Sequence, residues 1–323
     1  MDSITQAILG AAIGEISLGR KIGPKGAVLG ALVATIPDLD VVLLPFYSAV
    51  ERISIHRGFS HSILFSFIGA FLIALILSKI KWTRQISYIR LCVFSWLVLF
   101  THMLLDAFTT YGTQLFLPFS NYRVSFDSIN IVDPLYTLPL FLGVLLSTGV
   151  FRKKPNRIIY SKMGLIISSL YLIFTLWIKQ SVNQKFDTQL KKDSIVYNEL
   201  LTVPVKFGSI YWYGVAKTDN SLYIGKYNNI EREKITFTEF SINDNLLNKV
   251  DSELANTLKW FSKGYYTVVE KDGIIRLYNM QCDMQGIRTY GEYKVPTAFY
   301  FEITPQPNGK YRMSTGMHKK QPL

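Results

Sequence analysis

Charged residues are scarce in this sequence. They make up 18% of its 323 residues, whereas soluble globular domains usually carry about 25%. Cysteine occurs only twice and histidine four times. The two cysteines, Cys92 and Cys282, stand far apart, one in an apolar run and one in a polar region, and neither belongs to a CxxC pair. A disulfide between them and a cysteine-based zinc or redox motif are therefore not expected.

Hydrophobic residues are abundant, at 49% of the chain, and they form long runs before residue 180. A membrane-spanning helix needs about 17–25 mostly apolar residues. Four runs come close to or reach this length: Ser62–Ser78, Leu91–Ala107, Leu135–Phe151 and Met163–Ile178. Two weaker runs, rich in the small residues that allow close helix packing, precede them: Ile4–Leu18 and Ala27–Leu44. Residues 1–180 are predicted to form a mainly α polytopic membrane helix bundle of about six hydrophobic helices.

Residues 181–323 have a different pattern, in which charged residues mix with short alternating apolar and aromatic stretches. Segments such as SIYWYGVAKTD, SLYIGKY, TVVEKDGIIRLYNM and TAFYFEITP predict antiparallel strands. Residues 250–266 predict a helix that ends near Gly264, with Asp251 or Ser252 as its N-cap. We expect a small soluble α+β domain. Its aromatic residues are interpreted as sheet packing, the alternative being a surface that presents substrate: Tyr211, Trp212, Tyr213 and Tyr223.

The net charge of the chain is +12. In residues 1–180, the excess of basic residues lies in alternate connections between the apolar runs. These connections are Arg20–Lys25, Lys79–Arg90 and Arg152–Lys162. The positive-inside rule predicts that they are cytoplasmic, so the charge indicates topology rather than a nucleic-acid partner. The expected location is the cytoplasmic (inner) membrane, multi-pass. The loops Pro45–His61 and Thr109–Pro134 and the C-terminal domain would then be extracytoplasmic.

Uncommon polar residues gather at one predicted face of the membrane. PDLD ends the second run, HRGFSHS precedes the third, and THMLLD ends the fourth. His102 and Asp106 are four residues apart and share one helix face, and Pro37 would loosen the backbone so that both aspartates of PDLD could turn to a common centre. Imidazole and carboxylate together are the ligands of zinc and related divalent ions. The candidate ligands are Asp38, Asp40, His56, His61, His102 and Asp106.

Each motif alone has a simpler interpretation. PDLD could be a helix terminus, THMLLD a hydrogen-bonded pair between helices, and HRGFSHS an interfacial loop in which Ser60 caps a helix. Together they favour a divalent metal site, because three of the four histidines fall on one predicted surface and ionisable residues at membrane depth usually have a function. Zn²⁺ is the expected ion. The fourth histidine, His318, lies in a basic tail and is expected to be solvated.

The catalytic candidates follow from metal chemistry. A divalent ion lowers the pKa of a bound water toward about 7, and Asp40 or Asp106 could accept its proton. Arg57 and Arg123, the latter the only basic residue between Thr109 and Pro134, could stabilise negative charge on a phosphoryl or acyl oxygen. Interfacial arginines also commonly extend toward lipid headgroups without a catalytic role.

The stretches MDSITQAILGAAIGE, PDLD, HRGFSHS, THMLLDAFTTYGTQ and VDPLY together resemble the YdjM-like family of membrane-bound metal-dependent hydrolases, also described as LexA-binding, inner-membrane-associated hydrolases. The resemblance covers the part of the chain before residue 180. It implies the same six ligands and, through a remote link to zinc-dependent phospholipase C and P1-nuclease type enzymes, phosphate-ester hydrolysis. Many relatives have Thr-His where this chain has Thr5 and Gln6, so a one-ion or two-ion site is expected rather than a three-ion site.

The sequence therefore predicts a metal-dependent hydrolase at the outer membrane–water interface that acts on a phosphate ester or a lipid-linked envelope substrate. Its expected partners are the lipid bilayer and an amphiphilic substrate, with no nucleic acid. One alternative is an ion pathway, which would need polar residues through the full depth of the membrane. The other is a non-catalytic membrane adaptor whose metal or polar cluster is structural.

Overall fold

The computed structural model describes residues 1–231, 233–281, 288–290, 293–295, 299–307 and 311–317. Contacts divide the chain into two compact units, one formed by Met1–Leu44 with Ile55–Trp177 and the other by Pro45–Ser54 with Ile178–Leu323. Within the described residues, the first unit is helical and the second contains antiparallel sheets. Cys282 and His318 lie outside the described residues.

Seven α-helices begin within the first 180 residues. They are α1 Ser3–Ile22, α2 Lys25–Thr35, α3 Ala49–Ile55, α4 Ile63–Lys79, α5 Tyr88–Phe108, α6 Pro134–Leu145 and α7 Ile158–Lys192. Short 3₁₀ turns at Pro37–Val42 and Phe59–His61 follow α2 and precede α4, and a π-helical turn, Leu146–Val150, extends α6. Ser62 caps α4, because its hydroxyl accepts a hydrogen bond from the Phe65 amide at 3.0 Å.

Glycines allow α1 and α2 to pack with their backbones in contact. A Cβ added to Gly30 would lie 2.7 Å from the carbonyl carbon of Gly10, and one added to Gly26 would lie 2.7 Å from the carbonyl oxygen of Gly14. Neither approach is possible for a residue with a side chain. The small residues of the two weak apolar runs therefore serve the close helix packing that their pattern predicts.

A buried ion pair lies deeper in the first unit. The Arg157 guanidinium is 2.6 Å from the Glu15 carboxylate and donates a 2.8 Å hydrogen bond to the Gly19 carbonyl. Ser147, in the π-helical turn, donates its hydroxyl to the same carboxylate at 3.1 Å. Glu15 is fully buried. The pair therefore links α1, the turn after α6 and the start of α7.

Two helices, α5 and α7, are long and apolar enough to cross a membrane. Two bent pairs would raise the number to four: Lys25–Thr35 with Pro37–Phe46, bent by 44°, and Ala49–His61 with Ile63–Lys79, bent by 58°. The segment Pro134–Val150 is a shorter apolar helix. The prediction of about six spans is thus supported only as a helical region with two to four candidate spans.

Apolar side chains also cover the outer faces of these helices. On α4, Phe67 and Ile76 are 57% and 65% exposed, and on α7, Ile173 and Trp177 are 63% and 68% exposed. Contiguous exposed apolar surface of this kind is unfavourable in water and suits a lipid environment.

The second unit contains ten strands within the described residues. They are β1 Glu199–Pro204, β2 Tyr211–Lys217, β3 Ser221–Asn228, β4 Phe237–Ser241, β5 Tyr266–Lys271, β6 Ile274–Asn279, β7 Arg288–Tyr290, β8 Tyr293–Val295, β9 Phe299–Pro305 and β10 Tyr311–Met317. They form two four-stranded antiparallel sheets, ordered β1-β2-β3-β4 and β10-β9-β6-β5, and the hairpin β7-β8. The predicted antiparallel sheet domain is confirmed.

The aromatic residues of this unit mostly form its core. Trp212 and Tyr213 are buried, and Trp212 packs with Val182, Phe186 and Tyr227. A 3₁₀ helix, Asp244–Lys249, and one α-helix, α8 Ser252–Phe261, lie between β4 and β5. The α-helix begins after Asp251, whose side chain makes no capping hydrogen bond to it. These packing contacts favour the interpretation of the aromatic residues as sheet packing.

Candidate metal centre

Four predicted ligands come together in the first unit. Asp38 lies in the 3₁₀ turn after α2, His61 in the 3₁₀ turn before α4, and His102 and Asp106 near the C-terminal end of α5. One ligand atom from each of these residues lies within 4.8 Å of the others. We refer to these four residues as the His–Asp cluster.

Five of the six ligand-to-ligand distances within the His–Asp cluster are close to those around a small tetrahedral ion. The two histidine Nε2 atoms are 3.3 Å apart. Asp38 Oδ1 is 3.5 Å from each of them, and Asp106 Oδ2 is 3.4 Å from that of His61 and 3.7 Å from that of His102. Ligands bound tetrahedrally at zinc distances of about 2.0–2.1 Å would be about 3.3–3.4 Å from one another. A zinc-sized ion would therefore fit with small side-chain adjustments.

The hydrogen bonds around His61 direct a free ring nitrogen into the cluster. Its Nδ1 lies 2.9 Å from Ser60 Oγ, which in turn lies 3.2 Å from Asp40 Oδ2. The carboxylate accepts the Ser60 proton, so the Ser60 oxygen is left to accept one from Nδ1. In the neutral imidazole this leaves Nε2 without a proton and facing the cluster, as in metal-binding histidines held by a carboxylate.

Two polar atoms of the cluster have no hydrogen-bond partner although they are buried. His61 is fully buried, and His102 and Asp106 are at most 1% exposed. Asp106 Oδ2 and His102 Nδ1 have no hydrogen-bond partner among the described residues. Two ring nitrogens with facing lone pairs at 3.3 Å repel each other unless a proton or a metal ion lies between them. This donor set, with a buried carboxylate oxygen that accepts no hydrogen bond, therefore fits a divalent ion.

Asp40 and His56, also predicted as ligands, lie beside the His–Asp cluster and pair with each other. His56 Nδ1 is 3.1 Å from Asp40 Oδ1, and the Arg57 amide donates to Asp40 Oδ2 at 2.9 Å. Asp40 Oδ2 is 3.6 Å from His61 Nδ1, the nitrogen on the far side of the ring from the cluster. The structure thus places Asp40 where it orients His61 and fixes the loop that carries it.

Gln6 occupies the position next to the cluster where the family resemblance implies a histidine. Its side chain is buried, and its Nε2 donates to Asp106 Oδ1 at 3.1 Å and to the His102 carbonyl at 3.0 Å. The Met1 amine also contacts Asp106 Oδ1. Gln6 therefore positions Asp106 by a hydrogen bond.

Arg57 places a positive charge against the cluster. Its backbone has φ 56°, in the left-handed region, and its side chain is buried. Its Nε is 3.4 Å from Asp106 Oδ2, and its Nη1 donates to Thr109 Oγ1 at 3.2 Å. A guanidinium held in this way does not extend to the lipid headgroups, as the alternative interpretation would require.

Arg123 lies one residue further from the cluster, across Tyr111. Both its guanidinium and that of Arg57 lie 4.8 Å from the centroid of the Tyr111 ring, and Arg123 also donates to the Tyr111 carbonyl. Three further residues contribute to the site without having been predicted for these roles: Ser60, which contacts His61, and Thr109 and Tyr111, which contact Arg57. Thr109 and Tyr111 belong to TTYGT, which begins directly after the end of α5, and this position is the signal that the sequence offers for them.

Comparisons with known proteins agree with the inner-membrane assignment. The chain is 27% identical over 237 residues to the uncharacterized protein YfhP of Bacillus subtilis, covering 70% of this chain and 68% of that protein. It is 37% identical over 110 residues to the inner membrane protein YbcI of Escherichia coli, covering 34% of this chain and 61% of that protein. No solved structure matches it. The model of the YdjM inner membrane protein family matches residues 1–182, more than half of the chain, and the protein therefore belongs to that family.

Proposed function

We propose that this protein is a membrane-bound metal-dependent hydrolase whose His–Asp cluster holds a divalent ion, with Zn²⁺ as the expected ion. The observation that carries the proposal is the meeting of two imidazole nitrogens and two carboxylate oxygens beside a buried guanidinium. Structural zinc sites are typically rich in cysteine, whereas catalytic ones use histidine and carboxylate. The cluster contains no cysteine.

A bound divalent ion would supply Lewis acidity, and since four protein ligands fill a tetrahedral set, it would have to bind water as a fifth ligand to lower the pKa of that water toward about 7. The side chains around the cluster have separate tasks. Asp40, through Ser60, keeps the proton of His61 on Nδ1, and Arg57 faces the region in which negative charge would develop on a phosphoryl oxygen. Arg123 donates to the Tyr111 carbonyl and packs against the Tyr111 ring, so it would support the ring that also contacts Arg57.

The proposed substrate is a phosphate ester on a lipid or on a lipid-linked envelope precursor. Asp38 is the only exposed member of the cluster, with 21% of its side chain accessible, so substrate would approach from its side. The distribution of Lys and Arg among the connections supports an extracytoplasmic position for the cluster and for the second unit. Alkaline phosphatase fused after Leu323 should then be active in intact cells. Activity restricted to a cytoplasmic reporter at the same position would reverse this orientation.

The metal is tested by elemental analysis of the purified full chain. The wild type should contain about one divalent ion, and His102→Ala should lose most of it. His56→Ala is the matched control, because it removes an imidazole that pairs with Asp40 outside the cluster, and it should retain the metal. Equal, near-zero metal in the wild type and in His102→Ala would refute the hydrolase proposal.

Hydrolysis is tested on phosphodiester and phosphomonoester lipids in mixed micelles. Arg57→Gln should keep the metal and lower kcat by about 10²–10³-fold, the usual cost of losing one group that stabilises transition-state charge. A variant with wild-type metal content and wild-type kcat would remove Arg57 from the mechanism. Failure of the metal-loaded wild type on every phosphate ester would refute the reaction class.

One observation favours the adaptor alternative. Four protein ligands complete a tetrahedron, and three of the four residues are almost fully buried, as in closed structural sites. A structural ion would be needed for folding and not for turnover. In that case chelation would lower the unfolding temperature of the wild type, while no phosphate ester would be hydrolysed before or after metal is restored.

A further inference from the structure

A basic cleft lies at the opposite ends of the helices that carry the His–Asp cluster. It has a volume of about 660 Å³ and lies where the last turn of α1, the start of α2 and the connection between α4 and α5 meet. Its lining residues are Lys21, Ile22, Lys25, Lys81, Trp82, Arg84 and Gln85.

The cleft concentrates positive charge without a compensating carboxylate. Four of its seven lining residues are cationic and none is acidic. Within the described part of the chain, none of the four forms an ion pair. Like charges gathered in this way repel one another, so an anion bound between them would be stabilised by all four.

Two contacts without a carboxylate fix the shape of the cleft. Gln85 donates its Nε2 to the Lys21 carbonyl at 2.9 Å, which ties the α4–α5 connection to the end of α1. The Lys25 ammonium lies 4.4 Å from the centroid of the Trp82 ring, a cation–π distance. A backbone carbonyl and a ring face make these contacts, so the positive charges that line the cleft are not neutralised by them.

Its position matches a membrane interface. At 1.5 Å per residue, Lys21 is about 22 Å along α1 from Gln6, which contacts the cluster. Fourteen residues of α5 separate Tyr88 from His102 (102 − 88 = 14), a similar rise of about 21 Å. These lengths approach the thickness of the hydrocarbon core, about 30 Å. Trp82 is 44% exposed, as expected for a tryptophan anchored at headgroup level.

We propose that this cleft binds the phosphate of an anionic phospholipid headgroup. Lysine and arginine side chains hydrogen-bond phosphate oxygens with charge assistance, and basic pockets between membrane helices commonly hold anionic headgroups. Ile22 and Trp82 give the cleft an apolar wall against which the glycerol and the first acyl carbons would pack. This site is independent of the metal and of any hydrolysis at the other end of the helices.

The test compares two double variants of the full chain that lose the same charge. Lys21→Gln/Arg84→Gln removes two cations from the cleft, and Lys153→Gln/Lys154→Gln removes two exposed ones from another basic connection. Each protein is purified in detergent, reconstituted with phosphatidylglycerol and phosphatidylcholine, and its retained lipid is counted by native mass spectrometry. At about fivefold per charge, the cleft variant should bind phosphatidylglycerol on the order of 20-fold more weakly than the wild type, and the control should change less than about twofold.

Equal retention of phosphatidylglycerol by the two variants would overturn the proposal, as would equal retention of phosphatidylcholine and phosphatidylglycerol by the wild type. In a further arm of the test, inorganic phosphate or glycerol phosphate is added to displace the bound lipid. If inorganic phosphate displaces the lipid at the same concentration as soluble phosphatidylglycerol does, the cleft is a site for free phosphate and the lipid proposal fails. All four cations are exposed, so the single variants Lys81→Gln and Arg84→Gln provide a second series if the double variant is unstable.

Discussion

The two units of this protein treat ionisable side chains in opposite ways. The first buries Glu15, His61, His102 and Asp106 almost completely. The second keeps ion pairs such as Lys249–Glu270 partly exposed and buries aromatic rings such as Trp212. Burying a charge is costly unless it is paired or binds a metal. The chemistry of this protein is therefore to be sought in the first unit, and the second unit has the ordinary core of a folded domain.

The buried Glu15–Arg157 pair gives the strongest test of this contrast. Arg157→Met would leave the Glu15 carboxylate buried without its cation, and losing one partner of a buried pair costs about 3–5 kcal/mol. The free energy of unfolding in detergent should fall by that amount. The double variant Glu15→Gln/Arg157→Met removes both charges and should recover much of the loss.

The matched control is an ion pair of the second unit. Lys249 is 2.6 Å from Glu270, but its side chain is 54% exposed, and pairs of that kind contribute about 0–1 kcal/mol. Lys249→Ala should therefore change the unfolding free energy little. If Lys249→Ala and Arg157→Met proved equally costly, the contrast between the units would not hold.

A core substitution in the second unit should lower the stability of that unit without changing the metal content of the protein. Trp212 is fully buried and donates its Nε1 to the Ser209 carbonyl at 2.8 Å. Trp212→Ala should destabilise the unit by about 3–4 kcal/mol through a cavity and a lost hydrogen bond, as measured by near-ultraviolet circular dichroism. The metal content should stay at the wild-type level. Tyr211→Ala, at a residue 36% exposed, is the control and should cost much less.

Packing of α1 against α2 gives a smaller effect in the first unit. Gly30→Ala adds a Cβ against the backbone of Gly10, and such overpacking typically costs about 1–3 kcal/mol. The expected result is a lower unfolding temperature. Gly149→Ala should be close to neutral, because its added Cβ would meet only Leu145 Cδ1, at 3.8 Å. A neutral Gly30→Ala would mean that the helices do not pack this closely.

The smallest effect is a pH dependence in the second unit. Burial opposes the charged form of Asp244, but hydrogen bonds from Lys259 and Tyr266 outweigh it and hold the pKa of this carboxyl below its ordinary value. A depressed pKa stabilises the folded state above the unfolded pKa of about 3.9, and this contribution is lost as the pH falls toward the folded value. Since half of the Asp244 side chain is exposed, the contribution should be at most about 0.5 kcal/mol.

Thermal unfolding of the wild type and of Asp244→Asn at pH 7 and pH 3 measures the contribution of ionised Asp244 to stability. The two proteins should differ slightly at pH 7 and converge at pH 3. A difference that grows as the pH falls would contradict the sign of the pKa shift.

Hydropathy predicts where the helices lie better than where they end. The run Leu91–Ala107 lies within α5, Tyr88–Phe108, because that helix is apolar along its length. The run Met163–Ile178 covers only part of α7, Ile158–Lys192. Beyond residue 178 the buried positions of α7 recur every four residues, at Val182, Phe186 and Leu190. A search for continuous apolar runs does not detect an amphipathic segment of this kind.

The ligands of the candidate site could be predicted where the spacing of residues along a helix determines the direction of their side chains. His102 and Asp106 are one helical turn apart, and their ligand atoms lie 3.7 Å from each other. The spacing within PDLD does not predict a common direction. In a 3₁₀ helix with three residues per turn, side chains two residues apart point about 120° away from each other. Asp38 therefore faces the cluster while Asp40 faces the loop that carries His61. The left-handed backbone of Arg57 is likewise set by that loop and leaves no signal in the sequence.

The 3₁₀ turn that carries Asp38 has a kinetic consequence. Leu39, between the two aspartates, is 56% exposed, and its neighbours Val41 and Val42 are 47% and 61% exposed. Exposed apolar side chains therefore border the accessible side of the cluster. On the proposed function, a lipid substrate would reach Asp38 across this border from within the bilayer. Its encounter rate then depends on the number of molecules per unit area of membrane, and adding inert lipid at a constant total amount of substrate should slow binding in proportion.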